Sequence, residues 1–270
     1  MRKPALAFAA AAAALLFLSV GAPAQAITDG VPDGDGHPEV GLMVAFDEDG
    51  PVWRCSGTLV SPTVYVTAGH CTSGATHVEL WFDDDVRDAA AHGYPNTGEV
   101  SGTPYTHPQY DDAAFYLYDL GVVVLDEPVI LDRYASLPAL NQLDVLANKK
   151  GQQDRSFTAV GYGLQKSFPD AASWKTQSER LRMVSTPRLI SINTGYTGDG
   201  SLILSNNAHT GGTCSGDSGG PNFLGAGATE TNILAATTIT GDTPCRSTNV
   251  DYRLDTPSAR AFLGRFVTLP

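Results

Sequence analysis

Short apolar or alternating runs recur along the chain between turn-rich stretches, at residues 41–46, 56–60, 64–67, 77–82, 120–125, 157–160 and 233–236. Each run has the length of a strand. The 28 glycines and 17 prolines suit many chain reversals rather than long helices, so the pattern predicts an all-β protein. Two segments read as helical. One is a short turn around residues 67–71. The other spans about 257–266, where Thr256 caps, Pro257 takes the first helical position, and Ala261, Leu263 and Phe266 supply the apolar face.

The first 26 residues break this pattern. Arg2 and Lys3 precede an apolar run at 6–20 and the small-residue site Ala24-Gln25-Ala26, which together read as a secretory signal peptide cleaved before Ile27. The run is too short to favour a membrane span, so a secreted, extracellular protein is expected. Residues 27–270 are enough for a substantial core in one all-β unit or two lobes. The chain narrows between Asp126 and Gly151, and the expected units are 27–140 and 141–270.

With 17 Lys and Arg against 29 Asp and Glu, the net charge of −12 argues against a nucleic-acid partner. Four cysteines in an exported chain suggest two disulfides, with three pairings open. No Cys-x-x-Cys pair is present and the histidines are scattered, so no structural metal is expected. The acidic stretch 83–85 and the pair Asp33 and Asp35 read as solvated faces rather than a calcium site.

The segment Gly212-Thr-Cys-Ser-Gly-Asp-Ser-Gly-Gly-Pro221 carries the chemical signal. A glycine-flanked Ser218 can expose its hydroxyl on a tight turn, and the N–H groups of Gly216 and Ser218 can converge as an oxyanion hole. Gly216-x-Ser218-x-Gly220 also fits the nucleophile elbow of α/β-hydrolases, but there the histidine follows the serine, and here the last histidine is His209. Candidate bases lie upstream. Val66-Thr-Ala-Gly-His-Cys71 offers His70, and Asp119 precedes an apolar strand where it can orient an imidazole. Each is weak alone; the order His70, Asp119, Ser218 gives them weight.

Taken together, the chain resembles the chymotrypsin-like, trypsin-fold secreted serine peptidases. Cys55-Ser-Gly-Thr-Leu-Val-Ser-Pro62, Thr67-Ala-Gly-His-Cys71, His107-Pro-Gln-Tyr110, Val160-Gly-Tyr-Gly163 and Gly216-Asp-Ser-Gly-Gly-Pro221 carry the likeness through nearly the whole of 27–270. It implies two six-stranded antiparallel β-barrels and a C-terminal helix. It also implies His70 as general base, Asp119 as its orienting carboxylate and Ser218 as nucleophile, with pairings Cys55–Cys71 and Cys214–Cys245. A new α-amino group at Ile27 would ion-pair with Asp217. Compactness, acidity and few disulfides point to the bacterial branch.

By position the likeness puts Gly212, Thr213 and Val250 in the substrate pocket. Gly212 stands where trypsin-like enzymes carry an Asp, so an apolar pocket favouring Phe, Tyr, Leu or Met is expected. Tyr162 replaces a usual Trp, Gly69 a usual Ala, and Thr237-Thr-Ile-Thr-Gly241 the usual Ser-Trp-Gly strand. The implied activity is peptide-bond hydrolysis on protein or peptide substrates by a monomer, through an acyl-enzyme and without cofactor. A non-proteolytic member of the same fold, esterase-like or purely binding, is the alternative.

Overall fold

A computed structural model describes residues 27–147, 155–167, 178–194 and 200–270. The expected signal peptide lies outside the described residues. A two-residue strand, β1 (Val31–Pro32), precedes the first barrel, formed by β2 (Val40–Phe46), β3 (Pro51–Ser61), β4 (Val64–Thr67), β5 (His77–Trp81), β6 (Val100–Thr106) and β7 (Gly121–Leu125). These six close in the order β2-β3-β4-β7-β6-β5. The helical turn α1 (Gly69–Thr72) follows β4 and carries His70.

The second half contributes β8 (Phe157–Gly161), β9 (Met183–Ser185), β10 (Leu189–Ile192), β11 (Ser201–Ser205), β12 (Pro221–Leu224), β13 (Leu234–Gly241) and β14 (Thr248–Arg253). With β1 they form one eight-stranded sheet in the order β1-β9-β8-β12-β13-β14-β11-β10. The expectation of a second closed six-stranded barrel is modified here. Only Thr186, Pro187 and Arg188 separate β9 from β10, so one bent segment supplies strands to opposite ends of the sheet. Pro187 has no N–H to continue a ladder, but its carbonyl accepts from Phe157 N at 2.8 Å across the seam.

Both chain ends cross to the other half. Residues 31–32, expected with the first barrel, instead extend the edge of β9, Val31 pairing with Val184. The C-terminal helix α2 (Pro257–Leu263) starts where the capping signal predicts, the Thr256 side chain accepting from Ala259 N, and ends short of residue 266 at Gly264. It returns to the first half, with Phe262 packed on His107 at 5.1 Å and Ser258 Oγ 3.1 Å from His107 Nε2. One buried cluster joins Leu42, Val66 and Val122 to Val160, Phe223 and Leu254, so the halves share a core.

The disulfides are Cys55–Cys71 and Cys214–Cys245, as the family likeness implies. Closing a loop of this size in the unfolded chain contributes about 3 kcal/mol in the chain-entropy account.

A buried ionic network fastens the segment before β2. His37 Nδ1 lies 2.6 Å from Asp33 Oδ1 and its Nε2 2.9 Å from Glu230 Oε1. Arg182 Nε reaches the other Asp33 oxygen at 2.9 Å. Burial alone lowers an imidazole pKa, but the two carboxylates outweigh it and raise His37 above 6.5. Only the protonated ring can donate from both nitrogens. This stability is therefore fully present below the unfolded pKa of 6.5 and is lost as pH rises through the raised folded value. His37→Gln is expected to cost about 2–3 kcal/mol near pH 5.5 and less near pH 9, read by urea unfolding at both pH values; an equal cost at both would refute the charged clasp.

Candidate active site

Asp119 grips His70 with both oxygens. Oδ2 lies 2.7 Å from His70 Nδ1, and Oδ1 accepts from the His70 backbone N at 2.7 Å. Asp119 is fully buried at the head of β7, while the imidazole is partly open to solvent. A carboxylate placed at Nδ1 selects the neutral tautomer that donates from Nδ1, the form whose Nε2 lone pair is free.

The Ser218 loop docks on the same region. Ser218 O accepts from Ser56 N at 2.8 Å and lies 3.7 Å from Cys71 Sγ, itself within 4.8 Å of a His70 ring nitrogen. The two sulfurs beside His70 are bonded to one another, so this trio is not a ligand set for a metal. Gly219, at φ +75°, presses so closely on β4 that a Cβ would stand 2.5 Å from Ala68 N. Only glycine fits that approach.

Ser56 is the joint that sequence reasoning missed. Its Oγ donates to Gly216 O at 2.9 Å and accepts from Tyr162 N at 3.1 Å. Nothing but its place beside Cys55 marks it in the sequence. Gly216 has φ +96°, and among the described residues neither its N–H nor that of Ser218 donates to a protein acceptor.

Asp217 points the other way, into the second half. Its oxygens accept from Gly163 N at 2.7 Å and Cys214 N at 2.8 Å. A Cβ on Gly161 or Gly163 would stand 2.3 or 2.4 Å from a carboxylate oxygen, which accounts for both glycines of the Val160-Gly-Tyr-Gly163 motif. Burial raises the Asp217 pKa to about 7 against the opposing N–H bonds and the Arg54 charge. Ile27 is fully buried on Ala159 and Met183, and Thr28 bridges to Gly212. Tyr162, in place of Trp, is fully buried with its hydroxyl donating to Asp83 O at 2.7 Å.

A cavity of about 260 Å³ opens beside Ser218. Of the three expected pocket residues only Thr213 lines it. Gly212 is packed on Asn206, whose Cγ would stand 2.4 Å from an added Cβ, and Val250 joins the core cluster instead. Strand alternation explains the second case, since Asn249 faces the cavity and its neighbour must face away. The walls come from Thr238, Thr240, Thr243 and Asn249 with Ile239 and the Cys214–Cys245 bridge, so the lining is rich in hydroxyls rather than apolar as expected.

Neither nearby acid gives the cavity a fixed negative charge at its centre. The rim residue Asp242 turns its carboxylate to Arg246 N, Ser247 N and Thr248 N at 2.8–2.9 Å; those bonds outweigh burial and lower its pKa. Asp251 lies fully buried on β14, bonded by Asn222 Nδ2 at 2.9 Å. Burial raises the Asp251 pKa against its bonds with Thr238 and Asn222, and the residue is not among the cavity walls.

Comparison with known proteins points to one family and one fold. The trypsin family model matches residues 34–262. Brachyurin of Leptuca pugilator is 28% identical over 210 residues, covering 76% of this chain and 86% of its own. Chymotrypsin of Phaedon cochleariae is 29% identical, covering 73% and 66%. Among solved structures, HL collagenase superposes with a TM-score of 0.65 at 17% identity, covering 88% of this chain and 97% of its own, a likeness of fold. The two sequence relatives are arthropod proteins, so the bacterial placement expected above is not supported.

Proposed function

Because the chain belongs to the trypsin family of serine proteases, we propose that it is a secreted endopeptidase acting through a Ser218, His70 and Asp119 triad. The observation that carries this reading is the two-oxygen grip of buried Asp119 on His70, beside the docked Ser218 loop. His70 Nε2 takes the Ser218 proton as the hydroxyl attacks the scissile carbonyl. The unused N–H groups of Gly216 and Ser218 receive the oxyanion, and His70 then protonates the leaving amine. Water activated by His70 releases the acyl group. No residue of this scheme calls for a cofactor.

The Ile27 and Asp217 pair belongs to the same proposal. A free amine at a buried Ile27 supplies a cation to a carboxylate otherwise half-protonated near neutrality, and that charge steadies the loop carrying Gly216.

Pocket chemistry sets the expected substrate. Hydroxyl and amide groups with no exposed carboxylate at the floor favour an uncharged side chain before the cut over Lys or Arg. The test is digestion of a mixed peptide library by a chain beginning at Ile27 and by one carrying an extra residue before it, with cut sites read by mass spectrometry. We expect cuts mainly after uncharged residues, and only with the chain that begins at Ile27. Cuts mainly after Lys and Arg would overturn the pocket reading, and equal activity of the two chains would overturn the activation pair.

A further inference from the structure

Arg54 stands apart from every role given so far. It lies on β3 immediately before Cys55, paired with Val44 of β2. Its guanidinium packs on the backbone of Gly216, where an added Cβ would stand 3.2 Å from both Nε and Nη2. The Arg54 charge also reaches Asp217, whose pKa it lowers. Its only side-chain hydrogen bond among the described residues is Nη2 to Ser178 Oγ at 2.8 Å, and no carboxylate pairs with it there. In a chain with 29 acidic residues against 17 basic ones, a half-buried guanidinium beside the nucleophile loop with no carboxylate partner among the described residues is out of keeping with its surroundings.

Its position relative to the cavity says which part of a substrate it meets. The cavity walls come from residues 213–215, 238–243, 245 and 249, and neither Arg54 nor Cys55 is among them. A peptide whose side chain before the cut fills that cavity must carry the residues after the cut away from it. Outside the cavity lining, Cys71 Sγ lies 3.7 Å from Ser218 O and Arg54 packs over Gly216, which makes this flank of the Ser218 loop the candidate path for those residues.

Resting on the endopeptidase reading above, we propose that Arg54 forms a subsite on the leaving-group side that takes an acidic residue within the first two positions after the cut. A guanidinium recognises a carboxylate with paired N–H donors, and Nη2 keeps a second N–H beyond the one given to Ser178, which shares an edge with Nε or with Nη1. Partial burial against Gly216 shields the charge from water more than an open surface would. The preference acts on the substrate that the cavity has already positioned.

The experiment uses peptides identical up to the cut and differing only by Glu, Gln or Lys at each of the first two positions after it. A chromogenic amide that has no residue after the cleaved bond serves as the reference. The intact enzyme is expected to favour Glu over Lys by about tenfold in kcat/KM at one position. Arg54→Gln should bring that ratio to within about twofold and Arg54→Glu should invert it, each ratio being taken within one variant so that any change through Gly216 or Asp217, which the chromogenic amide reports, cancels. Equal loss on the peptides and the chromogenic amide would overturn the proposal and leave Arg54 a support for the Gly216 loop, as would an unchanged ratio. Absence of all turnover in the intact enzyme would instead overturn the endopeptidase reading.

Discussion

Ser218→Ala is expected to lower kcat for peptide cleavage by about a million-fold, the scale on which removal of a nucleophilic serine acts in enzymes of this chemistry. The chemistry then lacks its nucleophile, since His70 can hold a proton but cannot form the acyl bond. The fold should be untouched, because the Ser218 contacts that dock the loop run through its backbone oxygen to Ser56. The measurement is single-turnover cleavage of one peptide by both proteins, with unfolding midpoints compared. Residual cleavage within a hundredfold of the original would remove Ser218 from the mechanism.

Asp119→Asn comes next in size. The carboxylate accepts from both the ring and the backbone of His70. An amide in its place presents an N–H to one of them and favours the wrong tautomer, leaving Nε2 protonated and unable to take the serine proton. A loss of about ten-thousand-fold in kcat is expected, which is the effect the Ser-His-Asp template shows for this change and not a figure derived from this chain. The pH profile separates this role from a structural one. If turnover recovers at high pH, where hydroxide can take the serine proton in place of the misoriented ring, the orientation account holds, whereas a flat profile with a lowered unfolding midpoint would mean that Asp119 only supports the barrel.

Much of the first barrel was legible in the sequence because its strands are apolar on long stretches. The runs at 41–46, 64–67 and 120–125 became β2, β4 and β7, buried along almost their whole length. β6 escaped because Gly102 and Pro104 interrupt its alternation and its face is half open. In the second half, β9 and β10 are short and separated around Pro187, and β12 begins directly at the Gly-Gly-Pro end of the nucleophile loop, so none of the three gives a periodic signal. The residues His70, Asp119 and Ser218 were visible through local motifs. The pocket was not, since counting along one segment cannot reveal walls that two other strands bring across to it.

The crossing of both chain ends has a consequence for how the molecule would survive damage. Residues 27–32 are stitched to the second sheet, while α2 at the far end of the chain is seated on the first barrel. The connection between the two halves passes Ile130, the most exposed large apolar side chain among the described residues and a natural place for another protease to cut. A nick there would sever the covalent thread without freeing either piece, because each fragment holds a strap lying on the other. The two lobes behave as interlocked hands rather than as beads on a string, and the Ser218 loop would stay docked against Ser56 and Cys71 of the first barrel after the link is gone.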